Sequence, residues 1–108
     1  MSPDSQVLSE LVESIVETAQ PERIILFGSA ARGDMGPDSD LDILVVVPDL
    51  TENCLAMAQE IYHRLRGLRY AKDILVVKDC DFQRHRDNPY LIYHTAATTG
   101  KELYRAAS

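Results

Sequence analysis

The sequence predicts a small α/β domain, with helices packed on a mixed β-sheet, and three observations carry that expectation. Short apolar runs of strand length alternate with amphipathic stretches of helix length. Proline and glycine punctuate the boundaries between them. The 108 residues leave room for one domain, spanning 1–108, and little for a second. At 45% hydrophobic and 26% charged residues, the composition is that of a folded globular chain.

The first helix is expected over Ser5 to Gln20, because Val7, Leu8, Leu11, Val12, Ile15, Val16 and Ala19 fall on one stripe. Ser2 and Pro3 supply start signals and Pro21 closes the element. Arg23 to Phe27 reads as a short buried strand that stops at Gly28-Ser29, and Ala30 to Ser39 as loop or one helical turn. Leu41 to Val47 carries apolar residues on both faces, which places it near the sheet centre, with Pro48 ending it. A second amphipathic helix begins near Thr51 with Leu55, Ala58, Ile61, Tyr62 and Leu65 in register, and a third strand covers Lys72 to Val77. A polar stretch with Arg84 and Arg86 follows, then a helix from Pro89 to about Thr99, capped by Gly100. Leu103-Tyr104 reads as a last extended edge, and an apolar sheet face lined by Leu44 and Val46, together with an uncovered helix, is a candidate surface for a partner.

Several function classes are excluded at this level. The longest apolar run, Ile43 to Val47, is far short of the roughly 20 residues that cross a bilayer. The N-terminus lacks the basic and apolar regions of a secretory signal, and the two cysteines, Cys54 and Cys80, suit a reducing cytosol better than a disulfide framework or zinc site. A cytoplasmic location is therefore expected. The formal net charge of −6 leaves no basic excess for direct nucleic-acid binding.

The chemistry is concentrated in Phe27-Gly28-Ser29-Ala30-Ala31-Arg32-Gly33 and Ser39-Asp40-Leu41-Asp42. Side chains two apart on a strand share a face, with α-carbons about 6.6 Å apart. Asp40 and Asp42 thus present paired carboxylates at the mouth of an apolar strand, an arrangement that a hard divalent cation such as Mg²⁺ relieves. Gly28 lets the backbone approach a ligand closely, and Ser29 adds a hydroxyl donor beside a turn able to face phosphate. Asp73 precedes Ile74-Leu75-Val76 as Asp42 precedes Ile43-Leu44-Val45, so neighbouring strands would make a three-carboxylate cluster.

Gly28-Ser29, ten intervening residues, then Asp40-x-Asp42 resembles the signature of the DNA polymerase β-like nucleotidyltransferase superfamily. The fuller Gly-Ser-Ala-Ala-Arg-Gly with Ser-Asp-Leu-Asp-Ile-Leu-Val is similar to its minimal nucleotidyltransferase (MNT) branch. The resemblance covers most of the chain, to the Gly-Lys-Glu-Leu-Tyr-Arg tail. It implies an ATP- and Mg²⁺-dependent adenylyltransferase with two ions, Asp40 and Asp42 as metal ligands, and Asp73 as the third carboxylate that helps remove the acceptor's proton. Gly28, Ser29 and Arg32 would hold the triphosphate. Free-standing MNT domains are similar to antitoxins of HEPN/MNT toxin–antitoxin pairs, which implies a hetero-oligomer with a helical HEPN ribonuclease toxin and AMPylation of a toxin tyrosine. Non-catalytic neutralisation by binding, and transfer to a small hydroxyl-bearing molecule, stand as alternatives.

Plainer readings exist for each feature. Asp40 and Asp42 alone would pass for turn and cap residues. Asp38-x-Asp40-x-Asp42 resembles the opening of a calcium loop, but Ile43 stands where glycine is required. No Gly-Lys-Ser/Thr follows Gly28, and Gly28-x4-Gly33 has the wrong spacing for a dinucleotide fingerprint. His63, His85 and His94 show no metal-ligand spacing; Tyr90, Tyr93 and Tyr104 read as packing or interface residues.

Overall fold

The structure, a computed structural model, describes residues 5–33, 40–68 and 70–106. Helix α1 (Ser5–Ala19) buries Leu11, Ile15 and Ala19, one side of the predicted stripe. It ends at Gln20, which takes a left-handed φ of 45° and whose N–H donates to the Val16 carbonyl at 3.0 Å. The proposed Ser2-Pro3 start lies outside the described residues. Strand β1 (Arg23–Phe27) leads into the short helix α2 (Gly28–Arg32), then β2 (Leu41–Val47), α3 (Cys54–Arg64) and β3 (Lys72–Lys78). The chain closes with α4 (Asp79–His85), α5 (Ile92–Thr99) and β4 (Lys101–Arg105).

The four strands form one mixed sheet in the order β3-β2-β1-β4. β2 runs parallel to β3 and antiparallel to β1, so it is central, as its two apolar faces predicted. α3 makes the crossover that a parallel pair requires. It begins later than expected, at Cys54, because the Asn53 side chain accepts from the Ala56 N–H at 3.0 Å and fixes the N-cap there.

Strand alternation splits the core in two. Ile24, Leu26, Ile43, Val45 and Ile74 face α1 and α3, where Leu11, Ile15 and Ile61 close over them. On the opposite face Ile25, Leu44, Val46 and Val77 pack with Phe82 of α4 and Ala96 of α5. This overturns the Leu44–Val46 face as a candidate partner surface: both residues are fully buried beneath α4 and α5. The polar stretch around Arg84 is itself helix α4, anchored by the single side chain of Phe82.

Gly100 caps α5 as expected, its N–H donating to the Ala96 carbonyl at 3.2 Å, but with an extended φ of −73° in place of the left-handed one. Glycine is needed because a Cβ there would run into the Ala96 carbonyl and the Ile25 side chain. This close passage lets the chain turn from α5 directly into β4.

Where β4 lies against β1, Glu102 receives Arg105 at 2.6 Å and Arg23 at 3.0 Å. The Arg23 guanidinium also lies 5.2 Å from the Phe82 ring centroid, with Arg86 at 5.3 Å. Hydrogen bonds from Arg105 and then Arg23 hold the Glu102 carboxyl down from its ordinary 4.5 to about 2. Because the folded value is the lower one, this contribution is full above pH 4.5 and is lost as pH falls toward about 2. Glu102→Gln should therefore flatten the acid limb of the thermal-stability profile across that window, measured by circular dichroism melts.

Candidate active site

The site is built where β1 ends and β2 and β3 begin. Antiparallel pairing sets Phe27 opposite Asp42, and parallel pairing sets Asp42 opposite Asp73. Strands in a sheet are about 4.8 Å apart, so the two aspartates start from adjacent backbone positions. Both lie on the sheet face of Leu44, Val46 and Val77, because two-residue alternation carries them there. Asp40 directly precedes β2, whose first residue Leu41 is tied to the β3 side by its N–H donating to the Ala71 carbonyl at 2.9 Å.

Burial raises the Asp42 carboxyl above its ordinary 3.8, and the negative charges of Asp73 and then Asp40 push the same way. Among the described residues, the positive charge of Arg32 opposes them. The cluster therefore holds like charges that favour a proton or a cation over an empty site. Arg32, from the last turn of α2, is exposed and brings its positive charge toward Asp42. Among the described residues, no group of three His, Cys, Asp or Glu side chains is placed to hold a metal ion, Asp40, Asp42 and Asp73 included.

Gly28 has φ 73°, a left-handed backbone that glycine adopts without strain, and a Cβ at this position would overlap the Asp42 carboxylate. The bend thus brings main chain against the acid cluster. Ser29 follows in the first turn of α2, half-buried, while Ala30 plugs into the core and pins the helix to the sheet.

Tyr62 is a site residue that the sequence reading assigned only to packing. Its hydroxyl accepts the Ile74 N–H at 2.7 Å and donates to Asp73 Oδ1 at 3.4 Å, tying α3 to the start of β3. A tyrosine within an apolar helical register needs a partner for its hydroxyl, and that requirement was the available signal. His85 packs against Tyr93, with ring centroids 5.6 Å apart, and His94 Nδ1 lies 3.2 Å from the Arg86 carbonyl.

Comparison with known proteins bears on the family and the fold. The family model for the nucleotidyltransferase domain matches residues 8–96. A solved structure of a proposed nucleotidyltransferase from Sulfolobus solfataricus is 24% identical, with a TM-score of 0.63 over 93% of this chain and 78% of that one. A toxin–antitoxin complex with AMP-PNP is 22% identical, with a TM-score of 0.59 over 92% of this chain and 73% of that one. A mutant of the MntA-HpeT toxin–antitoxin is 20% identical, with a TM-score of 0.58 over the same shares. At these identities the structures establish a common fold. A comparison with curated protein sequences finds no match.

Two outcomes follow from the crowding around Asp42. Gly28→Ala should cost roughly 1–3 kcal/mol in urea unfolding, from the left-handed backbone and the displaced Asp42 carboxylate together. Asp42→Asn should do the reverse in metal-free protein. The folded carboxyl titrates above its ordinary value, so metal-free stability falls as pH rises between the two values. Removing that charge should raise the melting temperature of the metal-free protein at pH 7, read by circular dichroism melts.

Proposed function

This chain belongs to the nucleotidyltransferase domain family, and we propose that it transfers AMP from ATP to a hydroxyl, that of a tyrosine on a HEPN ribonuclease toxin, as the toxin's antitoxin. The observation that carries the reading is the crowding of Asp42 by Asp40 and Asp73 beside the Gly28 bend. A low-stability carboxylate cluster at the end of an otherwise apolar sheet has a physical use when it meets a cationic ligand.

In oxygen chemistry, though without a three-residue cluster already in place, the acids suit magnesium. Asp40, Asp42 and Asp73 offer the hard oxygen ligands it prefers, and their number leaves positions for water and phosphate oxygens. When bound, magnesium supplies electrostatic stabilisation of a phosphoryl transfer. Gly28 and Ser29 would receive the triphosphate where the main chain already approaches the acids, with Arg32 as a forked phosphate contact. The acceptor oxygen attacks the α-phosphorus, the bond to the β-phosphate oxygen breaks, and pyrophosphate leaves. Asp73 takes the hydroxyl proton. The Tyr62 hydroxyl holds its carboxylate from the α3 side.

The acceptor and partner assignments draw on the resemblance of the motif and on the fold shared with solved toxin–antitoxin structures, one of them with AMP-PNP. The proposed setting is the cytoplasm, and no helix among the described residues is long and apolar enough to cross a membrane.

Incubation with ATP, Mg²⁺ and a HEPN partner, followed by intact-mass measurement of both chains, tests the reading. The partner should gain the mass of AMP, and Asp42→Ala should slow the gain at least ~10²-fold, as loss of a transition-state electrostatic contact does. Neutralisation that persists in the Asp40→Asn, Asp42→Asn variant, with no mass gain on either version, would establish occlusion instead.

A further inference from the structure

The seam between α1 and β4 holds two adjoining cavities, of about 300 and 490 Å³, which share Val12 and Glu13. Leu8, Val12 and Val16 form an apolar row along α1, and Leu103 and Tyr104 of β4 complete the floor. Glu13 and Glu17 line the same track one position further round the helix. Spacing of i, i+4 and i+8 is the ridge by which helices pack against one another. At 1.5 Å per residue the row runs about 12 Å, enough for two turns of an incoming helix.

We infer that this seam is a docking track for a basic amphipathic helix of a partner protein. Charge decides between occupants. α1 carries Glu10, Glu13 and Glu17 and no lysine or arginine, so the α1 of a second copy would bring glutamates against glutamates. The same acids repel an anionic membrane or a nucleic acid. A helix with apolar residues at i, i+4 and i+7 fills the row, and lysines or arginines on its flank meet Glu13 and Glu17. The track lies on the α1 and α3 side of the sheet, opposite the face carrying Asp42, so docking there leaves the acid cluster open. The inference goes beyond nucleotidyl transfer and does not depend on it.

The test uses the full chain and two labelled synthetic helices, each about 18 residues long because shorter ones are marginal in water. One has a leucine row flanked by lysines; the other carries glutamates in place of the lysines. Fluorescence anisotropy should show the lysine helix binding at least about 10-fold tighter, a difference of about 1.4 kcal/mol. Glu13→Lys with Glu17→Lys, both exposed positions, should reverse the preference without disturbing the fold. Val12→Arg, with folding checked by circular dichroism, should weaken both helices. Glu52→Lys with Asp87→Lys makes the same number of acid-to-lysine changes at exposed positions that line neither cavity, and should leave binding within about 2-fold. The inference is overturned if that second pair abolishes binding equally, if the lysine helix does not bind, or if sedimentation shows a dimer that Val12→Arg disperses, which would make the occupant a second copy. A negative titration alongside normal AMP transfer would reject the track alone.

Discussion

Three negative charges brought to one end of a sheet are unfavourable in isolation, and the rest of the domain is arranged so that they cannot separate. The parallel register of β2 and β3 puts Asp42 beside Asp73, and that register is held by continuous apolar ladders on both faces. Ile43, Val45, Ile74 and Val76 lock one side against α1 and α3; Leu44, Val46 and Val77 lock the other against α4 and α5. Burying each large side chain is worth roughly 1.5–3 kcal/mol, far more than the repulsion of partly solvated carboxylates. Packing energy in the middle of the strands thus sustains an electrostatically strained end.

The division of the sheet into two cores explains how so short a chain manages this. A sheet with one covered face would leave Leu44 and Val46 in water, and β2 would become an amphipathic strand with weaker reasons to stay central. Here α4 and α5, small as they are, seal the second face with Phe82 and Ala96. Gly100 permits the sharp return into β4, which in turn flanks β1 and places Glu102 between Arg23 and Arg105. The charged knot near the start of β1 lies at the opposite end of that strand from Gly28, so the sheet has one acid-rich end and one where opposite charges pair.

Much of this was legible in the sequence where apolar pattern and special residues coincide. Leu41–Val47 is apolar at too many successive positions to be anything but a covered strand, and the repeat of Asp-Ile-Leu-Val at Asp42 and Asp73 foretold equivalent positions on neighbouring strands. Helix α4 was not legible, because a seven-residue helix that buries only Phe82 has no periodicity to detect. α5 starts later than Pro89 suggests, for a related reason. Pro89 looks like a first-turn proline, but Asn88 captures the following backbone, accepting from the Tyr90 N–H with its side chain and from the Leu91 N–H with its carbonyl, so the helix waits until Ile92. The need for glycine at 100 comes partly from Ile25, 75 residues away, and the partners of Tyr62 lie on another element, so the local pattern signals that Tyr62 needs a partner without saying which.

The hydrogen bond between Tyr62 and Ile74 reaches beyond the acid cluster. β3 is an outermost strand, and such strands invite pairing with a stranger chain, the first step of fibrillar aggregation. By occupying the Ile74 N–H, the tyrosine withdraws one donor from that template, and lysines at both ends of the strand, Lys72 and Lys78, place charge where an intruding backbone would have to lie. A side chain that steadies Asp73 therefore doubles as a solubility guard, so that residue is bound by two unrelated demands at once.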